Sequence, residues 1–159
     1  MKNNILILAN NDAGLYKFRK ELIKRLIKSG YKVYIAAPNG PYIEKLENLG
    51  CQYINTPINR RGKNPITDFK LFLKYISIIR KSNPKVVLTY TIKPNVYGGI
   101  VCRLLNVPYI ANITGLGTSI ENGGLTKIIS LLLYKVGLKN AKCIFFQNEV
   151  NQKFFIKNN

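Results

Sequence analysis

Residues 86–113 read VVLTYTIKPNVYGGIVCRLLNVPYIANI. Two apolar runs, 86–89 and 109–113, flank a segment of helical spacing at 96–105. An unbroken apolar run of this length is the signature of a strand buried on both faces, as parallel sheets require. Parallel neighbours need a long crossover, and the helix between the runs supplies it. The stretch is a strand–helix–strand unit with the right-handed connection such units adopt.

The same alternation continues outward in both directions. Upstream, strands are expected at 5–9, 32–37 and 51–56, and helices at 15–29, 42–49 and 65–82. Gly30 and Gly50 stop the first two helices. Asn64 caps the third, with Pro65 at its first helical position. Downstream, a helix is expected at 125–138 and a strand at 143–146, and a last helix opens at Glu149. Six strands alternating with helices predict an α/β protein, a single Rossmann-like open parallel sheet with helices on both faces. At 159 residues the whole chain, 1–159, reads as one domain.

Composition narrows the function. The chain has 25 Lys and Arg against 7 Asp and Glu, a formal net charge of +18. That excess points to an anionic partner: nucleic acid, anionic lipid headgroups or a phosphorylated substrate. There is no His, which removes the commonest general base and the commonest metal ligand. Cys51, Cys102 and Cys143 form no CxxC pair and read as small buried hydrophobes in a reducing compartment. No metal site is expected. GxGxxG is absent after the first strand, where NNDAG stands, and the GxxxxGK[ST] pattern is absent throughout, so dinucleotide and P-loop chemistry are disfavoured. The apolar run near the N-terminus is too short for a signal peptide. The longest uncharged stretch, 104–120, carries Pro108, Asn106 and Asn112, which is strand and loop chemistry, not a membrane-spanning helix.

Ligands of open parallel sheets bind beyond the carboxyl ends of the strands. The segments expected there are 10–14, 38–42, 59–63, 90–95, 114–124 and 147–149. They carry Arg60, Arg61, Lys63 and Lys93 against Asp12, Glu121 and Glu149. A cationic edge rich in Asn, Thr and Gly suits a sugar phosphate or pyrophosphate, and is equally readable as a solvated basic rim. In the first helix, Leu15, Phe18, Leu22 and Leu26 are expected to form the buried stripe. Arg19 falls beside that stripe, near the end of the first strand, while Lys17, Lys20, Lys24 and Lys28 face solvent. Paired carboxylates, Ser/His/Asp sets and Cys/His clusters are missing, so a base would have to be a carboxylate, or the chemistry would rest on electrostatics and positioning.

Three stretches carry a resemblance: RRGKNPITDFKLF at 60–72, TYTIKPNVYGGIVCRLLNVPYIANITGLGT at 89–118, and IFFQNEVN at 144–151. With the NNDAGLYKFR opening at 10–19, they make the whole chain resemble the N-terminal domain of family 4 glycosyltransferases with the GT-B fold. It is most similar to bacterial enzymes that extend sugars on polyprenyl diphosphate for capsule, O-antigen or glycoprotein glycans. The resemblance implies half of a retaining, metal-independent hexosyl- or N-acetylhexosaminyltransferase. It needs no cofactor, with a nucleotide-sugar as donor substrate. The donor would be bound by a second domain, which this chain is expected to lack, so the chain alone should be inactive or depend on a donor-domain partner.

Carried over position by position, the resemblance makes Gly14 the approach to the donor phosphates and Arg19 the family's arginine at the start of the first helix. Lys93, Asn95, Thr114 and Gly115 would line the acceptor side, with Arg60, Arg61 and Lys63 as further anion-binding residues. Glu149 is the candidate catalytic residue. Many relatives carry His in the loops after the fourth and fifth strands; here Thr89-Tyr90-Thr91 and Asn112-Ile113-Thr114-Gly115 stand, so no His base transfers. The implied partners are a polyprenyl-diphosphate-linked sugar and an anionic membrane surface, with no nucleic acid, and the place is the cytoplasmic face of the cell membrane. The segments 17–32 and 69–81 are the candidate membrane contacts. The competing reading is a non-catalytic basic α/β module that binds a membrane surface or nucleic acid.

Overall fold

The computed structural model describes residues 3–158, apart from 61, 63, 116, 118–119 and 121–122. Six strands form one parallel sheet: β1 (Asn4–Leu8), β2 (Lys32–Ala37), β3 (Gln52–Asn55), β4 (Val86–Tyr90), β5 (Tyr109–Ile113) and β6 (Cys143–Phe146). Their order is β3-β2-β1-β4-β5-β6. The chain reverses direction across the sheet between β1 and β4, which opens a crevice beyond their carboxyl ends. The expected Rossmann-like fold is therefore present.

The helices are α1 (Asp12–Lys28), α2 (Ile43–Glu47), α3 (Pro65–Ser82), α4 (Gly99–Leu104), α5 (Gly124–Leu138) and α6 (Glu149–Asn158). A wider π-helical turn, Pro94–Gly98, runs directly into α4. The spacing at 96–105 predicted one uniform helix there. Pro94, which has no backbone N–H, falls within the first turn, where the normal ladder would need no donor from it. Asn83 and Asn106 follow α3 and α4 at positive φ, 41° and 52°, a conformation Asn tolerates better than most residues.

Two apolar cores sandwich the sheet. One, under α1 and α2, holds Ile5, Ile7, Leu15, Ile23, Val33 and Ile35. The other, under α3, α4 and α5, holds Leu6, Leu8, Leu71, Tyr75, Tyr109 and Tyr134. Burial of each such side chain contributes about 1.5–3 kcal/mol. Strand alternation sends neighbouring residues to opposite cores, so a one-residue slip of β1 would exchange them.

Three expectations need correction. The buried side of α1 is Leu15 and Ile23, with Arg19 half-buried between them, whereas Phe18 is 72% exposed. Leu22 is also exposed. The helix packs on β2, and its contact face is turned one residue from the predicted stripe. Phe18 and Leu22 consequently point along the sheet towards β6. The second correction concerns β6 itself. Phe145 and Cys143 pair with Asn112 and Ile110 and share their face. That face is not covered by α1, and both β6 residues are exposed. The third follows: Cys143 is exposed, while Cys51 and Cys102 are buried. Burial pushes the Cys51 thiol up to about 11 and the Cys102 thiol up to about 12. A thiolate-selective reagent near neutral pH is therefore expected to label Cys143 in the folded protein and the other two only after denaturation, as mass spectrometry of labelled peptides would report.

Candidate functional site: an arginine cleft at the sheet edge

An open cleft of about 430 Å³ lies where α1 meets the carboxyl ends of β4, β5 and β6. Arg19 and Tyr90 form its centre. The guanidinium carbon lies 5.2 Å from the Tyr90 ring centroid, a cation–π contact. Nη1 also donates to the Phe18 carbonyl at 3.1 Å. Among the described residues no carboxylate pairs with Arg19. Burial raises the Tyr90 phenol, and the adjacent Arg19 works against that rise. Phe18, Leu22 and Phe145 give the walls an apolar character, and Asn112, Thr114 and Gln147 add amide and hydroxyl groups. The described lining thus offers one cation, aromatic faces and hydrogen-bonding groups, a set suited to holding an anionic ligand.

The sequence-predicted residues divide among different places. Arg19 and Thr114 come together in the cleft. Gly115 follows with φ 148° and open space where a Cβ would stand. Gly14 lies in the first turn of α1, where its N–H donates to Asn11 Oδ1 at 2.6 Å. A Cβ there would press on that same oxygen at 2.8 Å, so glycine keeps the cap in place. The neighbouring Asp12 carboxylate accepts from the Tyr42 N–H at 2.7 Å and ties α1 to the loop before α2.

Lys93 is on the other side of the sheet. Its ammonium bonds to the Asp68 carboxylate of α3 and, at 2.9 Å, to the Gly62 carbonyl. Tyr97 donates to the same Asp68 at 2.9 Å. The Lys93 charge is thus already balanced inside the fold, and it anchors the segment before α3. Asn95 is fully buried. Its Oδ1 accepts from Thr89 at 2.6 Å and its Nδ2 donates to the Asn112 carbonyl at 3.0 Å. This latch joins the ends of β4 and β5 under the cleft floor. Asn95→Ala is expected to cost about 1–3 kcal/mol in urea unfolding, because it leaves the buried Thr89 hydroxyl only the Ile110 carbonyl at 3.5 Å and the Asn112 carbonyl without its amide donor. Arg60 is exposed in the loop after β3. Arg61, Lys63 and Glu121 lie outside the described residues. Glu149, at the start of α6, is exposed and pairs with Lys153 at 3.3 Å, beyond the cleft lining.

The fold also shows site residues that sequence reasoning passed over. The sequence puts Tyr90 in the loop 90–95 with no role of its own; in the fold it ends β4, and only its cross-sheet position reveals it as the platform for Arg19. Next to it, Thr91 takes φ 74°, a conformation that a β-branched residue rarely adopts, and its buried hydroxyl has no hydrogen-bond partner among the described residues. Such strain costs of order 1–3 kcal/mol.

The family model for glycosyl transferase 4-like proteins matches residues 4–148. The chain belongs to this family. A relative from Campylobacter jejuni is 28% identical over 152 residues, covering 92% of this chain and 40% of its own length. It is an N,N'-diacetylbacillosaminyl-diphospho-undecaprenol alpha-1,3-N-acetylgalactosaminyltransferase. Among solved structures, a glycosyltransferase from Rickettsia africae superposes with a TM-score of 0.71 at 18% identity, over 99% of this chain and 40% of its own. Sucrose-phosphate synthase from Thermosynechococcus elongatus gives 0.75 at 14% identity, over 98% and 45%. The family 4 chain thus has the fold of an N-terminal GT-B-type domain, and it spans about 40% of the curated relative's length. Among the described residues no helix is long and apolar enough to cross a membrane, and no cluster of His, Cys, Asp or Glu is arranged to hold a metal.

Proposed function

We propose that residues 1–159 form the acceptor-side domain of a retaining glycosyltransferase. The reaction is transfer of a hexosyl or N-acetylhexosaminyl unit from a nucleotide-sugar to a sugar carried on polyprenyl diphosphate, in surface polysaccharide or glycan assembly. The observation that carries this reading is the unpaired Arg19 set on Tyr90 in an apolar-walled cleft. A diphosphate needs a cation with no internal carboxylate, aromatic faces suit sugar rings, and apolar walls suit the first isoprene units. The similarity to the Campylobacter jejuni enzyme, whose name specifies a diphospho-undecaprenol acceptor, supports the same class.

In this reading the nucleotide-sugar is held by a second domain, on the same polypeptide or a separate one, and the 159 residues alone transfer nothing. Gly14 and the capped start of α1 face the donor phosphates, and Glu149 is retained as the candidate base at the opening towards that domain. The protein works on the cytoplasmic face of the cell membrane as a peripheral component. Calorimetry with a soluble short-chain polyprenyl-diphosphate N-acetylhexosamine tests the proposal. Saturable binding is expected, weakened at least tenfold when the diphosphate is replaced by an uncharged linker. Equal binding of both ligands would contradict it.

A further inference from the structure

The outer face of the helical layer opposite α1 is apolar where such faces are ordinarily polar. On α5, Leu125, Ile128, Ile129, Leu132, Leu133 and Val136 are between 38 and 70% exposed. At 100° per residue they fall in one continuous stripe, while Ser130, Tyr134, Gly137 and Leu138 occupy the buried side. The stripe is therefore a second apolar face, and the core does not use it. On α3, Ile66, Phe69 and Leu73 are 48–66% exposed as well. The short α4 touches both helices and carries exposed Leu104 between them. An exposed apolar surface spread over three adjacent helices is a binding surface.

Charge identifies what covers it. The outer side of the same layer carries Lys70, Lys74, Arg80, Lys81 and Lys135, whereas Lys127 lies on the inner side of α5, over the Phe154 ring. Within α3, α4 and α5 the sole acid is Asp68, and Lys93 already neutralises it. The α1–α2 layer, in contrast, holds Asp12, Glu21, Glu44 and Glu47. A second copy of the chain would bring two lysine rims together on molecules that each carry +18, which opposes self-association through this face. An apolar stripe bordered by uncompensated lysines matches the boundary between acyl chains and anionic headgroups. We infer that the α3–α4–α5 face is the surface by which the domain lies on an anionic lipid bilayer, with the α5 stripe set into the headgroup region. The choice of a bilayer as occupant rests on the lipid-linked acceptor proposed above.

The protein contains no Trp, so an introduced indole reports from one position alone. The 159-residue chain with Leu132→Trp is mixed with vesicles of phosphatidylcholine, or of phosphatidylcholine with about one-third phosphatidylglycerol. Expected results are flotation with the anionic vesicles only, an emission blue-shift and quenching by brominated acyl chains. Gln52→Trp, on the far edge strand, should show neither optical change. Ile128→Glu with Leu132→Glu should lower partitioning at least about tenfold at unchanged thermal stability, since both side chains already face water. Flotation undiminished by the double substitution, an indole shift at position 52 instead of 132, equal binding to neutral vesicles, or no binding to either would each overturn the inference. So would a dimer that shields the position-132 indole without lipid. No vesicle contains acceptor, so loss of the acceptor reading would leave this result standing, and the reverse.

Discussion

Gly137→Ala should lower the stability of the domain by about 3 kcal/mol, near the upper end for overpacking of a close contact. A Cβ at Gly137 would lie 2.5 Å from the Val96 Cα and 3.1 Å from the Asn95 and Val96 carbonyl oxygens. These are backbone atoms of the π-helical turn, and backbone cannot rotate away as a side chain can. The partner position is Gly99, whose Cβ would press on the Gly137 carbonyl and the Tyr109 ring. Around this contact the Tyr109 hydroxyl lies 2.7 Å from the Gly137 carbonyl and 2.8 Å from that of Lys139. Arg103 Nη1 donates to the Val136 carbonyl at 2.8 Å. The end of α5 is thus fastened to β5 and α4 by bonds whose lengths depend on two glycines. Thermal melting by circular dichroism should show a midpoint lower by roughly 6–12 °C for a chain of this size. A fall of under about 2 °C would mean that α5 packs further from the turn than described.

Arg19→Ala is expected to weaken binding of the diphosphate-linked acceptor ten- to hundredfold, about 1.5–3 kcal/mol, the range for a hydrogen bond to a charged group. Its effect on stability should stay near 0.5–1 kcal/mol, the worth of an exposed cation–π contact. The two readouts separate a ligand-binding role from a structural one. Arg19→Lys keeps the charge but loses the planar fork, so it should recover part of the affinity. Lys93→Ala gives the contrasting pattern. Its ammonium is spent on Asp68 and the Gly62 carbonyl, so its removal strands a half-buried carboxylate and reduces stability rather than affinity.

The contrast between Arg19 and Lys93 also explains what was legible in the sequence. The positions of the six strands and of most helices along the chain, and the Asn64–Pro65 start of α3, follow from local periodicity and capping, and the fold agrees with them. Pairing across distance has no local signal. Asp68 stands 25 positions before Lys93, and nothing in either neighbourhood announces their ion pair. Asn95 reads as a polar loop residue, yet it is buried because Thr89 and Asn112 meet it from two strands. The rotation of α1, which turned Phe18 outward and Arg19 inward, depends on where the helix crosses the sheet. Helical spacing alone gives the width of a stripe, not its bearing. The apolar pattern of α5 gives a helix at 125–138, but periodicity does not distinguish an inner face from an outer one when both are apolar.

The central claim is that this domain receives the lipid-linked acceptor at the Arg19–Tyr90 cleft and leaves the donor to another domain. The most direct test is nuclear magnetic resonance of the isotope-labelled 159-residue chain, titrated separately with the short-chain polyprenyl-diphosphate sugar and with a nucleotide-sugar. The acceptor analogue should shift the signals of Arg19, Tyr90, Thr114 and Gln147 together, and the nucleotide-sugar should shift none of them at the same concentration. Nucleotide-sugar binding in the cleft, or acceptor shifts that leave these four residues unmoved, would contradict the assignment.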